Sequence, residues 1–290
     1  MPTIREAIEQ GRERLARSPA IEHWPPSRDR WESQQLLAHA LGEEDPSELD
    51  RGAAITDRQN DRFRDLVRRR AGGEPMPHIL GRMEFRGLEL RIRPGAFVPR
   101  QSSEFMAASA AKKLRSRREP VHVDLATGMG PVALAVAAEV PRAEVHGTDL
   151  LDEGLRQARA NARRLGLGNV SFHRGDLFGP LPRRLRGSVD VLTIHPPYVP
   201  KNEVEDLPLE VKGFEPETVL TDFSESGLGL VERTAEEGLE WLRPRGWVLI
   251  EISPDHTRAV KAVMRRAGYL EPRSTNGWPF VTRVVAGRAP

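Results

Sequence analysis

The sequence contains no cysteine, which excludes disulfides, thiolate zinc sites and cysteine nucleophiles together. Nothing in the chain calls for an oxidising compartment. Lysine is also scarce, with five residues (Lys112, Lys113, Lys201, Lys212 and Lys261) against 39 arginines. No run of about 18 uncharged apolar residues occurs, and Met1 to Gln10 lacks the basic start and apolar core of a secretory leader. A cytoplasmic protein without membrane association is expected. The excess of either charge is small: Lys+Arg 44 against Asp+Glu 42 gives a formal net charge of +2. A protein built to neutralise phosphates would carry far more, so direct nucleic-acid binding is not expected. No internal repeat or low-complexity segment is found.

What is present suits two domains: 290 residues with 38% hydrophobic content exceed one minimal domain and fit a full-sized one plus a smaller one. Residues 1–75 predict a small helical domain. Thr3 with Glu6, and Thr56 with Gln59, have capping-box spacing. Ile4, Ala7, Ile8 and Leu15 form one apolar face, Trp31, Leu36, Leu37, Ala40 and Leu41 a second closed by Gly42, and Phe63, Leu66 and Val67 a third stopped by Gly72, Gly73 and Pro75. Over residues 76–100 the period changes to alternation, from Glu84 to Arg93 with glycines at the bends, which predicts a linking β-hairpin.

Residues 101–290 alternate short β-branched runs with amphipathic stretches. Strands are expected at Val121 to Leu125, Ala143 to Asp149, Asn169 to Phe172, Val189 to Ile194 and Gly246 to Ile252, with helices such as Glu153 to Leu165 and Gly227 to Leu242 between them. Two further strands are expected between Gly268 and Gly287, the last from Phe280 to Ala286. This is the pattern of a Rossmann-like α/β sheet with helices on both faces, which binds ligands at the carboxyl ends of its strands. The runs Arg68-Arg69-Arg70 and Lys112 to Arg118 read as solvated faces and helix ends. His122, His146 and His173 fall in strand patterns at unrelated spacings, which predicts structural histidines and no metal site.

The segment from Val123 to Ala133 leaves a strand, turns through Gly128 and Gly130 and opens a helix, a geometry that lets backbone approach a ligand. Alone it also fits a dinucleotide site, since Asp149 follows Gly130 by 19 positions, close to the ~20 of a ribose-binding acid. Asp124 favours S-adenosylmethionine instead: a carboxylate before the glycines suits an ammonium and would repel a pyrophosphate. Asp176, with Leu177, closes the third strand and suits an adenine amino group. Singly, Asp124 or Asp176 would read as a helix cap; three acids at successive strand ends beside a glycine turn read as a site. The expected cofactor residues are therefore Asp124, Ala126, Thr127, Gly128, Gly130, Asp149, Asp176 and Leu177.

The fourth strand runs into His195-Pro196-Pro197-Tyr198, where two prolines stop strand and helix alike and fix an extended loop at the sheet's active edge. Here the chain resembles the HemK/PrmC class of protein glutamine methyltransferases, which carry Asn-Pro-Pro-Tyr at this position. The resemblance extends through Gly73-Glu74-Pro75, Ile79-Leu80-Gly81, Val98-Pro99-Arg100, Asp124 to Gly130, Gly175 to Phe178 and Phe214-Glu215-Pro216. It implies a class I methyltransferase sheet, S-adenosylmethionine as cofactor, and an acceptor glutamine in peptide-chain release factors. In that class the Asn oxygen and a proline carbonyl take the amide's two N–H bonds, so the resemblance implies catalytic roles for His195, Pro196 and Tyr198. It places His195 also against the cofactor, and Pro99, Arg100, Pro197 and Tyr198 against the acceptor.

The departures gather at the substrate motifs. Pro-Arg-Pro-Glu-Thr-Glu becomes Pro99-Arg100-Gln101-Ser102-Ser103-Glu104, Glu-Pro-Arg becomes Glu215-Pro216-Glu217, and a glycine loop becomes Ser224-Glu225-Ser226-Gly227-Leu228. Neutral histidine accepts one hydrogen bond and can take a proton. A diverged enzyme acting on another N or O nucleophile, in a small molecule or peptide, is expected. The alternatives are the release-factor enzyme itself, a nucleic-acid amino-methyltransferase, a non-catalytic cofactor-binding scaffold and a nicotinamide oxidoreductase.

Overall fold

The computed structural model describes residues 1–276 and 283–290. The chain forms two compact units, one of Met1–Met83, Ile92–Pro94 and Glu205–Glu215, the other of Glu84–Arg91, Gly95–Val204 and Pro216–Pro290.

In the first unit, α1 (Ile4–Ala16) opens with the expected capping box: Glu6 N–H donates to Thr3 Oγ1 at 3.2 Å and Thr3 N–H to the Glu6 carboxylate at 2.8 Å. Helix α2 (Arg28–Leu41) ends at Gly42, and α3 (Asp57–Ala71) repeats the capping box with Thr56 and Gln59. The short helix α4 (Met76–Leu80) follows. Their buried faces pack Ile4, Leu15, Leu36, Leu37, Phe63 and Val67 into one core. Two expectations are corrected here. Trp31 is 51% exposed, because Glu32 and Ser33 occupy the inward positions of that turn.

Arg70 is not on a solvated face but fully buried. Its guanidinium meets Glu32 at 2.7 Å and Glu210 at 2.6 Å, and Glu32 also accepts from Arg28 at 2.9 Å. Burial of that charge is tolerated because both carboxylates reach it. Glu210 comes from a segment far along the chain that sequence periodicity assigns to the other domain.

A two-stranded hairpin of β1 (Arg82–Phe85) and β2 (Leu88–Arg91) turns at Arg86-Gly87. The second unit then runs α5 (Ser103–Leu114), β3 (Val121–Leu125), α6 (Pro131–Glu139), β4 (Glu144–Asp149), α7 (Asp152–Arg164), β5 (Val170–Arg174) and β6 (Val189–Ile194). After α8 (Leu209–Lys212), which belongs to the first unit, come α9 (Gly229–Trp241), β7 (Leu242–Ile252), α10 (Thr257–Ala267), β8 (Leu270–Asn276) and β9 (Arg283–Arg288). Phe280, the expected start of the last strand, lies outside the described residues.

The strands form one sheet of order β5-β4-β3-β6-β7-β9-β8. The first five are parallel and β9 is antiparallel to both its neighbours. Strand β6 is buried at every position, as a central parallel strand must be. Strand order reverses between β3 and β6, which opens a crevice at their carboxyl ends. Lys113 also departs from a solvated face, its ammonium lying 3.5 Å from the Trp247 ring centroid. His146 Nδ1 lies 2.9 Å from His173 Nε2 and its Nε2 2.8 Å from Glu144. Among the described residues no group of three or more His, Asp or Glu is placed to hold a metal ion, and no helix is long and apolar enough to cross a membrane.

Candidate active site

The site is built where β3 and β6 lie side by side. Asp124 and Thr193 are Cα partners in their parallel register, and side chains two apart share a face, so Thr193 and His195 point the same way as Asp124. Asp124 is buried and its carboxylate accepts from Thr193 Oγ1 at 2.6 Å and from Thr127 Oγ1. It also accepts from the Ala133 N–H at the start of α6, so it is a helix cap as well as a pocket wall. Burial pushes its pKa up to about 6 against these donors.

Behind it stands His122, fully buried, its Nε2 2.9 Å from Thr193 Oγ1. Because Thr193 gives its proton to Asp124, His122 Nε2 is the donor in this pair. Burial holds the His122 pKa down at about 3, so the ring is neutral.

The turn after β3 places Ala126 and Gly128 at φ 48° and 56°. Gly128 N–H donates to Asp149 Oδ2 at 2.7 Å, and Leu151 N–H to Asp149 Oδ1 at 2.8 Å. Burial raises the Asp149 pKa. The space a Gly128 Cβ would enter is open within 4 Å, whereas a Cβ on Gly154 of α7 would meet the Gly128 carbonyl oxygen at 2.7 Å. Helix α7 thus seats the turn from behind and leaves its front clear.

One pocket is lined by Pro99, Arg100, Asp124, Ala126, Thr127, Gly128 and His195, all expected from the sequence, together with Phe97, Ser103, Met106 and Met129. Asp149 and Gly130 adjoin it through the turn. Asp176 is not in the lining: it is about half exposed and paired with Arg233 of α9 at 2.8 Å. Leu177 beside it is buried at φ 40°.

In the loop after β6, His195 stacks on Tyr198 at 5.7 Å between ring centroids and makes a T-shaped contact with Phe97 at 5.3 Å. Arg100 lies over Phe97 at 4.5 Å. His195 Nδ1 is 3.2 Å from Ser103 Oγ and 3.8 Å from a carboxylate oxygen of Glu251. Burial lowers the His195 pKa, with Glu251 opposing, and raises that of the Tyr198 phenol to about 12. At neutral pH the site therefore offers an uncharged imidazole and an uncharged phenol. Past Tyr198 the chain is fastened by Val199 N–H to the Leu220 carbonyl at 3.0 Å.

Sequence reasoning missed Glu251, Ser103 and Thr193. A signal existed for Glu251, the one charged residue in Leu249-Ile250-Glu251-Ile252 at the carboxyl end of a central strand. Ser103 stood within an altered substrate motif but carried no role there, and Thr193 gave no signal, because a hydroxyl is unremarkable in a buried strand.

Comparison with known proteins bears on this geometry. Residues 118–251 match a methyltransferase domain model and residues 6–81 the PrmC N-terminal domain. The release factor glutamine methyltransferase of Bordetella pertussis is 33% identical over 90% of this chain and 96% of its own length. That of Moorella thermoacetica is 33% identical over 92% and 91%, and that of Streptomyces coelicolor 38% identical over 66% of each. Among solved structures, a Thermus thermophilus 16S rRNA N2 G1207 methyltransferase shares the fold, with a TM-score of 0.52 and 15% identity over 72% of this chain and 50% of that one. Fold and sequence together define an S-adenosylmethionine-dependent methyltransferase. More narrowly, the chain belongs to the HemK/PrmC family. The residues fit the cofactor: a clear space in front of Gly128 and a carboxylate at Asp124 that a cation would relieve are what a methionine ammonium and its backbone require.

Proposed function

We propose that this methyltransferase has turned from the release-factor glutamine to another acceptor, an N–H or O–H nucleophile on a peptide or small molecule that yields its proton to His195. The observation that carries this reading is the neutral, largely buried His195, with Nδ1 3.2 Å from Ser103 and 3.8 Å from Glu251, in the loop position where the family has asparagine. An amide nitrogen is aligned by two acceptors and needs no base before attack; an imidazole supplies one acceptor and a proton sink.

In this reading Asp124 holds the cofactor's ammonium, the Ala126 to Gly130 turn its carboxylate, and Asp149 its ribose, with Asp176 and Leu177 at the adenine end. When bound, S-adenosylmethionine supplies a methyl group on a sulfonium. His195 and the Pro196 carbonyl orient the acceptor atom towards it, and Pro197, Tyr198, Pro99 and Arg100 wall the acceptor. The helical domain of residues 1–75 serves the acceptor, residues 76–100 link, and residues 101–290 bind the cofactor. The protein works in the cytoplasm, and its near-neutral charge gives nucleic acid no part.

A second reading is favoured by the relatives, named release factor glutamine methyltransferases and matching up to 96% of their own length. There His195 and Pro196 would each accept one amide N–H. The deciding experiment incubates the purified protein and methyl-labelled S-adenosylmethionine with a recombinant release factor and, separately, with a lysate. Label on another lysate component and none on the release factor supports the diverged acceptor. Efficient labelling of the release-factor glutamine overturns it.

A further inference from the structure

Glu251 lies near the end of β7 with its side chain fully buried, and among the described residues neither carboxylate oxygen has a hydrogen-bond partner. An unpaired buried carboxylate is costly to keep, and every neighbouring position on the strand is apolar. The register of β6 and β7 pairs Ile194 with Ile250, so the next step along both strands puts His195 beside Glu251. The carboxylate lies 3.8 Å from His195 Nδ1, and Ser103 Oγ lies 3.2 Å from the same nitrogen. Among the described residues Nε2 has no partner. Phe97, perpendicular to the ring, and Tyr198, stacked on its face, limit rotation.

We propose that Glu251 is a positioning residue that keeps the proton of neutral His195 on Nδ1, so that Nε2 presents its lone pair to the methyl acceptor. This rests on the reading of His195 as the proton-accepting residue. The tautomer of a histidine is set by what surrounds its two nitrogens, and here Nδ1 lies 3.2 Å from a hydroxyl and 3.8 Å from a carboxylate, while among the described residues Nε2 has no partner. The remaining groups around the ring are Arg100 before α5, Ser103 on α5, Tyr198 on its own loop with His256 beyond it at 5.9 Å, and Asp124 reached through Thr193. Arg100 opposes a charge on His195 and Glu251 favours it. During transfer the bond from the acceptor's N or O to the methyl carbon forms, the carbon–sulfur bond breaks, and the acceptor's proton passes to Nε2. The resulting imidazolium holds its Nδ1–H towards Glu251, which offsets the new charge, and water then removes the proton.

The test uses the full chain with 15N-labelled histidine and long-range proton–nitrogen NMR, His195 being assigned by its absence from His195→Asn. The wild type is expected to show the Nδ1–H tautomer. Glu251→Met removes charge and acceptor together, and should give a mixed tautomer and a lower His195 titration midpoint. Glu251→Gln keeps an acceptor and should restore the tautomer while the midpoint stays at least about half a pH unit below wild type. The acidic limb of kcat should move with it, at unchanged cofactor affinity. An Nε2–H tautomer in the wild type overturns the proposal whether or not the variants fold, as does a titration unmoved by both substitutions. Ser103→Ala should keep the tautomer, and its loss there would assign the role to Ser103. The NMR readout needs no acceptor, so labelling of a release factor would defeat the acceptor reading and leave this result standing.

Discussion

Thr193 Oγ1 donates to Asp124 Oδ1 at 2.6 Å, tying β6, which runs into the His195 to Tyr198 loop, to β3, which runs into the glycine turn. The same hydroxyl accepts from His122 Nε2 at 2.9 Å, so one threonine bonds two buried polar side chains that stand two residues apart on one face of β3. The glycine turn and the loop after β6 are thereby fixed relative to each other by a hydroxyl outside the pocket lining.

Thr193→Val keeps the shape and removes both bonds. It leaves the His122 N–H unpaired and Asp124 one donor short, for a loss of about 2–3 kcal/mol. The melting temperature should fall and cofactor binding, followed by calorimetry, should weaken. Wild-type values for both would show that the bridge is dispensable.

If Asp124 holds the cofactor's ammonium, as proposed, cofactor binding is expected to depend on pH, and the sign follows from the direction of its shift. Its folded-state pKa of about 6 lies above the ordinary 3.8, so its contribution to stability of the cofactor-free protein is present below pH 3.8 and is lost as pH rises through 6. An ammonium beside the carboxylate reverses the preference by stabilising the charged form. Cofactor affinity should fall as pH drops below about 6, and calorimetry at pH 6 in buffers of different ionisation enthalpy should detect proton release on binding. Affinity independent of pH between 5 and 7 would remove Asp124 as the ammonium's partner.

The strands around this site were legible because central parallel strands are apolar runs bounded by turn residues: Val121 to Leu125 and Val189 to Ile194 match their observed bounds. The capping boxes at Thr3 and Thr56 were legible because their chemistry is local. What escaped notice depended on contacts between distant positions. Arg70 reads as one of three exposed arginines until Glu32 and Glu210, 38 and 140 residues away, are brought to it. Asp176 reads as an acid without an ion-pair partner until Arg233 of α9, 57 residues away, is placed against it. Glu251 differs, since an acid inside an apolar strand was visible, but its partner depended on the β6–β7 register.

Gly154 carries a prediction of its own, because an added Cβ would strike the Gly128 carbonyl at 2.7 Å and its carbon at 2.8 Å, both backbone atoms. The turn cannot yield without shifting the N–H that Asp149 accepts. Gly154→Ala should therefore reduce cofactor affinity about tenfold or more even though alanine favours helix by about 1 kcal/mol. Unchanged affinity with a raised melting temperature would mean that α7 moves instead.

The Arg70 cluster predicts a loss confined to stability. Arg70→Met leaves Glu32 and Glu210 with Arg28, which pairs with each at 2.9 Å, but without the fully buried cation between them, and breaking a buried pair costs up to about 3–5 kcal/mol. Chemical denaturation should show that loss. Cofactor affinity should stay within about twofold of wild type, since no pocket residue belongs to this cluster.

His195→Asn restores the family's side chain and separates the two acceptor readings. Because burial lowers the His195 pKa, the wild-type rate should be flat at neutral pH and decline only below the ordinary histidine range of about 6.5, as the imidazole takes a proton from solvent. Asparagine has no such titration, so this acidic limb should vanish in the variant. If His195 accepts the proton of the native acceptor, the substitution should lower kcat on that acceptor by about 10²–10⁴-fold with cofactor affinity nearly unchanged. The same variant gains an amide oxygen beside the Pro196 carbonyl, the pair that aligns a carboxamide, so transfer to a release-factor glutamine should be unchanged or increased. A parallel loss on both acceptors would mean that His195 holds the loop in shape, and that its ring, stacked on Tyr198 at 5.7 Å, matters for packing more than for its lone pair.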